Sequence, residues 1–448
     1  MSETFLCPGE SQPIGRAIHL ARLASYYTAC RTCQHRRETG LLSLAVRKRL
    51  EQCESLPPRG PEFHAEGVQG VYHNQLTVAA MRRLAAAFGL VLRQQLSETH
   101  AAPRNPVVVL AGDGRPITPE FLAAAAEGLR YCGCHVRETS SATSAMLAFA
   151  QRQQQADGGL LLGNPADRSH LVGVKFWGPG GLPWSRGPEL NAIEHLHRAP
   201  INRPTRTSGT ASRVAIETDY LAGLEGYFHA LRPLRFVLDT TSSTLSRLLR
   251  QLIARVACEV IEADDAEPSR PGEPSRAVSQ SSAIRAPGAA RLAAPTVRRL
   301  GRRTLAAGAD FGLWIDGDGE AAVVVDERGR EVPPERLLLV LARHLQSEQP
   351  GTAIVIEPTS TQSATGELLG VLDHASLAAD ATRRGMAAAM AGTQAVLGGG
   401  PSGRYWLPPS PAPDALHLVA LLLTLLSRRD WPLSEVIARS LEPAGSCL

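Results

Sequence analysis

The chain has 448 residues, 44% apolar and 20% charged, a balance that fits an ordinary globular protein and excludes a collagen, a coiled coil or a wholly disordered chain. Lys and Arg number 47 against 43 Asp and Glu, and the net charge of +4 is too small to argue for nucleic acid without a local basic patch. Eight Cys over this length do not make a disulfide scaffold, and the longest apolar run, Leu416 to Leu426, is too short to span a bilayer. The N-terminus, MSETFLCPGESQP, lacks a basic stretch followed by an apolar one. The expectation is a cytoplasmic α/β protein with reduced thiols, about three domains at ~150 residues each, and neither nucleic acid nor membrane as a partner.

In chain order, residues 1–60 read as a helical extension, with helices over Ile14–Tyr27 and Leu41–Cys53 and a break at SLPPRGPEF. From Phe63 strand and helix signals alternate. Thr77 is placed to cap a helix through Gln95, Pro106-VVVLAG is a short buried strand, Asp113-Gly-Arg-Pro is a turn, and Pro119–Tyr131 is a helix with proline at its start. His135-Val-Arg, Thr143–Gln155 and Gly159-LLLG then give strand, helix and strand, an order that places helices on the faces of a parallel or mixed sheet. The pattern restarts at Asp219 with a helix, strand Arg235-FVLD, helix Leu245–Ala257 and strand Cys258-EVIEA. Residues 264–295, dominated by Pro, Ser, Ala, Arg and Gly, read as a disordered insert. Beyond it come helix Thr296–Ala307, strands Phe311-GLWI and Ala322-VVVD flanking DGDGE, and a hairpin turn at Asp326-Glu-Arg-Gly. Helix Glu335–Gln346, strand Ala353-IVIE, helix Leu377–Met390, the strand and glycine turn Gln394-AVLGGG, and an apolar helix from Asp414 to Ser427, N-capped by Asp414, complete the series.

Four segments stand in a collinear order: AGDGRPITPEFLAAAAEGLRYCGCHV, ADGGLLLGNPADRSHLVGVKFW, ADFGLWIDGDGEAAVVVDERGREVPPERL and AVLGGGPSGRYW. Together they resemble the α-D-phosphohexomutase superfamily, the phosphomannomutase and phosphoglucomutase enzymes of carbohydrate metabolism, over residues 63–440, and FHAEGVQGV at Phe63 is similar to that family's opening F-x-x-Y-D-I-R-G. The resemblance implies an α/β fold of three consecutive phosphohexomutase-type domains with mixed sheets flanked by helices. The expected divisions are a 1–60 extension with a Cys/His cluster, a domain 1-like segment over 61–205, a domain 2-like segment over 212–330 with an acidic metal loop and the insert 264–295, and a domain 3-like segment over 331–440. A fourth domain is expected to be absent, because the chain reaches WPLSEVIARSL, where the family enters that domain, and ends at Leu448. The chemistry implied is an intramolecular phosphotransfer, an isomerase reaction. A phosphoserine gives its phosphoryl group to a hexose phosphate and takes back the other, with Mg²⁺ held by three carboxylates and a Glu-containing loop on the sugar hydroxyls.

The residues depart from that scheme. The family's G-G-x-x-x-T-A-S-H-N-P-x-x-Y-N-G-x-K aligns without a gap on Gly158–Lys175, which puts Pro165 at the nucleophile position and Ala166 at that of the following His. Proline has no hydroxyl to carry phosphate. Ser169-His170 repeats the Ser-His pair four residues later and is the fallback pair, or Ser169 is a surface serine on a remodelled loop. The metal loop D-G-D-G-D-R becomes Asp316-Gly-Asp318-Gly-Glu320-Ala321: three alternate carboxylates suited to Mg²⁺, or a plain Asp-Gly turn between apolar strands. The sugar loop G-E-x-S-G-H becomes Gly399-Gly400-Pro401-Ser402-Gly403-Arg404, which loses the acidic acceptor and gains an arginine that could draw an anion, or is a glycine-rich turn with an incidental Arg. Ser402, Gly403 and Arg404, with Arg115 and Lys175 at matched positions, are the expected substrate-binding residues, and RPTRTSGT at Arg203–Thr210 reads as a linker.

The extension carries its own signal. Cys30-x-x-Cys33-x-His35 with Cys53 offers four ligands for a structural Zn²⁺, a redox pair, or a Cys-rich helix junction. Cys132, Cys134, Cys258 and Cys447 look isolated. Three functions stay open: a pseudoenzyme without phosphoserine turnover that binds a hexose phosphate or a protein partner such as an active paralogue; an active or altered Mg-dependent mutase using Ser169; and a structural protein whose old cleft is vestigial.

Overall fold

Two compact units make up the chain, one of residues 1–141, 154–176 and 186–214, the other of 142–153, 177–185 and 215–448. The structure, a computed structural model, describes residues 4–8, 11–54, 60–99, 104–163, 170–263, 294–358 and 369–440.

In the first unit the continuous apolar runs VVVLAG and GGLLLG become the neighbouring strands Val107–Gly112 and Gly158–Gly163, buried on both faces as central parallel strands are. They sit inside a seven-stranded sheet whose order is Glu62–His64, Gly67–Val71, Leu171–Trp177, Gly158–Gly163, Val107–Gly112, His135–Ser141 and Ala211–Arg213. The pairs at the 211–213 side are parallel and those at the 62–64 side antiparallel, so the sheet is mixed. Helices Val78–Thr99 and Thr118–Tyr131 pack closely, because a Cβ at Gly128 would lie 2.1 Å from the Arg82 carbonyl oxygen. The extension belongs to this unit. It holds a short hairpin, Thr4–Phe5 with Ile14–Gly15, and helices Arg16–Ala24 and Leu44–Glu54. Strand Leu171–Trp177 and helix Pro188–Arg198 were not placed by the sequence reading.

The second unit has two sheets. One runs Glu259–Glu262, Arg235–Thr240, Phe311–Ile315, Ala322–Asp326, Glu331–Val332; the other runs Ala375–Leu377, Ile354–Ile356, Leu397–Gly399, Tyr405–Trp406. Its most apolar helix, Ala415–Ser427, begins where expected: Asp414 Oδ1 accepts from the backbone N–H of Leu416 at 3.0 Å and of His417 at 3.1 Å, while its Oδ2 accepts from the Tyr220 hydroxyl at 2.7 Å. That helix is buried almost throughout, which accounts for its apolar run as core, and among the described residues no helix is long and apolar enough to cross a membrane.

One helix differs from expectation. Leu377 ends a strand, and the helix begins only at Arg383. Asp380 accepts the Thr382 N–H at 2.8 Å, turning the chain, and Thr382 then caps the helix by accepting from the Gly385 N–H at 3.1 Å. Of the expected insert 264–295, residues 264–293 lie outside the described residues, and helix Ala294–Ala306 follows.

Candidate functional site

In the first unit, strand Gly158–Gly163 delivers the chain to the family's nucleophile loop. Pro165, Ala166 and Ser169 lie outside the described residues. The chain returns at His170, which is buried with its ring centroid 6.3 Å from that of Tyr26. Arg115 holds both shoulders of this loop: Nη2 donates to the Gly163 carbonyl at 2.8 Å and Nη1 to the Leu171 carbonyl at 2.9 Å. Its Nε is paired with Asp113, a buried carboxylate that also accepts from the Thr118 hydroxyl at 2.7 Å. The guanidinium expected to bind substrate is here engaged with the loop's own shoulders. Lys175 is half-buried on the strand beyond, one residue past the Val174–Val68 pair.

In the second unit the acidic loop is a tight turn between strands Phe311–Ile315 and Ala322–Asp326. Asp316 Oδ1 accepts the Glu320 N–H at 2.7 Å, and Gly319 supplies the positive φ of 72° that the turn needs. Asp318 and Glu320 are buried. Ser144, the first residue of helix Ser144–Gln153, closes on this turn: its N–H donates to the Asp318 carbonyl at 3.0 Å and its hydroxyl to Glu320 Oε1 at 2.5 Å. Arg383, 0% exposed, brings Nη1 to 3.5 Å from that same oxygen and lays its guanidinium over the Trp177 ring, 4.9 Å from the centroid. Mg²⁺, the cation the family resemblance implies, wants near-octahedral oxygens at about 2.1 Å. Among the described residues no three His, Cys, Asp or Glu side chains are grouped to hold a metal. Asp316, Asp318 and Glu320 share one turn without converging as a ligand set, and the third of them faces a permanent cation. As arranged, these residues do not fit a resident Mg²⁺.

The sugar loop lies beside the acidic loop. The Ala322 N–H donates to the Gly403 carbonyl at 2.9 Å, and Arg404 bridges to Ala321. Gly403 is required there: its φ is 72° and a Cβ would sit 2.6 Å from the Ala322 carbonyl oxygen. Ser402 donates to Glu357 twice, from its hydroxyl at 2.6 Å and its N–H at 2.9 Å. Arg404 donates through its own N–H to the Ser402 hydroxyl at 3.1 Å, reaches the Ala381 carbonyl at 2.9 Å, and holds Nη2 at 3.9 Å from Glu357. Glu357 stands where a side chain at position 400 would go, since a Cβ on Gly400 would lie 2.6 Å from Glu357 Cβ. A carboxylate missing from the loop's own sequence is thus supplied by the end of the adjacent strand. Burial first, then the Glu357 and Glu335 carboxylates, pushes the neighbouring Tyr405 phenol well above its usual pKa.

Sequence reasoning missed Ser144, Arg383 and Glu357. None falls in a quoted motif, and Arg383 reads as the surface of an expected helix. The extension corrects another expectation. Cys30 and Cys33 are buried and Cys53 half-buried, none in a disulfide, and His35 Nδ1 pairs with Glu38 at 2.6 Å. The four expected zinc ligands are not assembled into a group. The CxxC spacing reflects a tight turn, in which the Cys33 N–H donates to the Cys30 carbonyl at 3.3 Å.

Comparison with known proteins accords with this architecture. The family profile "Phosphoglucomutase/phosphomannomutase, alpha/beta/alpha domain I" matches residues 60–200. A Methanosarcina acetivorans protein named "Probable phosphoglucosamine mutase" is 26% identical over 391 residues, 84% of this chain and 79% of that one. The phosphomannomutase/phosphoglucomutase of Pseudomonas syringae is 26% identical over 308 residues, 68% of this chain and 60% of its own. A solved phosphoglucomutase/phosphomannomutase family protein of Burkholderia thailandensis shares the fold, with a TM-score of 0.69 at 22% identity, covering 84% of this chain and 79% of that one. Residues 60–200 thus match the phosphoglucomutase/phosphomannomutase domain I, and over most of its length the chain is similar to proteins of the α-D-phosphohexomutase superfamily.

Proposed function

We propose that this protein is a cytoplasmic phosphohexomutase-fold binding protein without phosphoserine turnover, which holds a hexose phosphate or a protein partner on the inherited scaffold. The observation that carries the reading is Pro165 at the gap-free position of the nucleophile: covalent phosphoryl transfer needs an acceptor oxygen, and no gain in binding replaces one. The surroundings agree in direction. Arg115 is engaged with Asp113 and two main-chain carbonyls, and Glu320 with Ser144 and Arg383. On this reading the seven-, five- and four-stranded sheets correspond to domain 1-like, 2-like and 3-like layers.

The test is intact mass after incubation with glucose 1,6-bisphosphate. The expected mass is unchanged. A gain of one phosphoryl group, mapped to Ser169, would overturn the proposal and favour a shifted nucleophile.

A further inference from the structure

We infer that Arg383 is the built-in cation of Glu320 in the acidic loop, a guanidinium standing beside the carboxylate that a divalent metal would draw on, so that the third carboxylate of the loop is neutralised by the chain itself. The inference stands on the second unit alone: phosphorylation of Ser169 would sink the preceding proposal and leave this one intact.

Three observations converge. First, Glu320 Oε1 accepts from the Ser144 hydroxyl at 2.5 Å and lies 3.5 Å from Arg383 Nη1 as an ion pair, so the oxygen a metal would draw on already serves one donor and faces one cation. Second, Arg383 is wholly buried. A guanidinium does not lose its proton in proteins, so its charge there is permanent, and burial is tolerated only with compensating partners. Glu320 and the face of Trp177 are such partners. Third, Arg383 opens a helix whose first turn has no acidic residue. A cation there opposes the helix dipole, so the helix itself gives no reason for the charge to sit at this position. Its reason lies in the acidic turn. A dication entering the loop would meet a positive charge held beside its ligand in the interior.

The experiment uses the full chain and two probes, Mg²⁺ read by thermal melting and Mn²⁺ read by electron paramagnetic resonance. Wild-type protein is expected to show no melting shift at millimolar Mg²⁺ and no stoichiometric Mn²⁺ binding. Arg383→Met is expected to melt several degrees lower and to recover part of that loss when Mg²⁺ is added. Adding Glu320→Gln to Arg383→Met should raise the melting point above that of the single variant and abolish the Mg²⁺ response. Where Arg383→Met fails to fold, Arg383→Lys, which keeps the charge, should fold and remain insensitive to Mg²⁺. Stoichiometric Mn²⁺ on the wild type, or an Arg383→Met protein that melts like the wild type, overturns the inference.

Discussion

The acidic loop of the second unit and the loop shoulders of the first hold their charges in contrasting ways. Around residues 316–320 the family's alternating carboxylates survive in the sequence, yet Glu320 is turned onto Ser144 and a buried arginine. Around Gly163 and Leu171 the nucleophile's letters are replaced, yet the shoulders of the loop are held firmly, with Arg115 bonded to both and to Asp113. Retained letters in one region therefore accompany a carboxylate turned onto an arginine, and replaced letters in the other accompany loop shoulders clamped by one guanidinium. A motif records which side chains are available. What they do depends on which partners the rest of the fold brings against them.

That contrast can be broken in several places. The largest effect is expected from restoring a family letter in the sugar loop. Gly400→Glu would overpack against Glu357 and add a like charge beside it, costing about 3 kcal/mol of stability and restoring no activity, as read by urea unfolding. A Gly400→Glu protein as stable as the wild type would show that Glu357 does not occupy that place. Next, Arg115→Met should remove both carbonyl clamps and leave Asp113 on its remaining donors, costing about 2–3 kcal/mol and speeding proteolysis within 164–169. Unchanged cleavage there would detach Arg115 from the loop's integrity. Smaller again, Ser144→Ala should cost about 1–2 kcal/mol, because Glu320 loses a buried donor but keeps Arg383. A neutral result would mean that the Ser144 bond adds nothing to the arginine.

At neutral pH the smallest effect is that of two buried histidines, one in each unit, whose contribution shows only as the pH falls. Burial, reinforced by Arg428 and Arg429, lowers His344 to about 4, and burial with Arg83 and Arg198 lowers His197 to about 4. Each stays neutral in the folded chain while the unfolded chain takes up a proton near about 6.5, so between these values the unfolded state binds more protons. Stability is then full above about pH 6.5 and falls as pH drops toward about 4. His344→Gln should flatten part of that slope and leave the part due to His197. Urea midpoints at several pH values read this directly, and an unaltered slope in the variant would remove His344 from the account.

Much of the scaffold was legible because local signals agreed with one another. The runs VVVLAG and GGLLLG could only be buried strands once helices flanked them, and Asp414 announced its helix by preceding an apolar stretch it could cap. The Leu377–Met390 expectation failed because Asp380 and Thr382 redirect the chain through their own side-chain bonds, a local competition that apolar spacing does not reveal. The site was legible only as positions. The acidic triplet and Ser402-Gly403-Arg404 could be located, but their partners could not: Ser144 is 176 residues from Glu320, and Glu357 is 45 from Ser402. The zinc expectation came from spacing alone, and a turn produces the same spacing for reasons of backbone geometry.

The most direct test of the central claim is isomerisation itself. Purified protein, supplied with mannose 6-phosphate, Mg²⁺ and a catalytic trace of hexose bisphosphate, is followed for appearance of the 1-phosphate. The account predicts no turnover above the protein-free control. Conversion that disappears when Asp316 and Asp318 are both changed to Asn would contradict it.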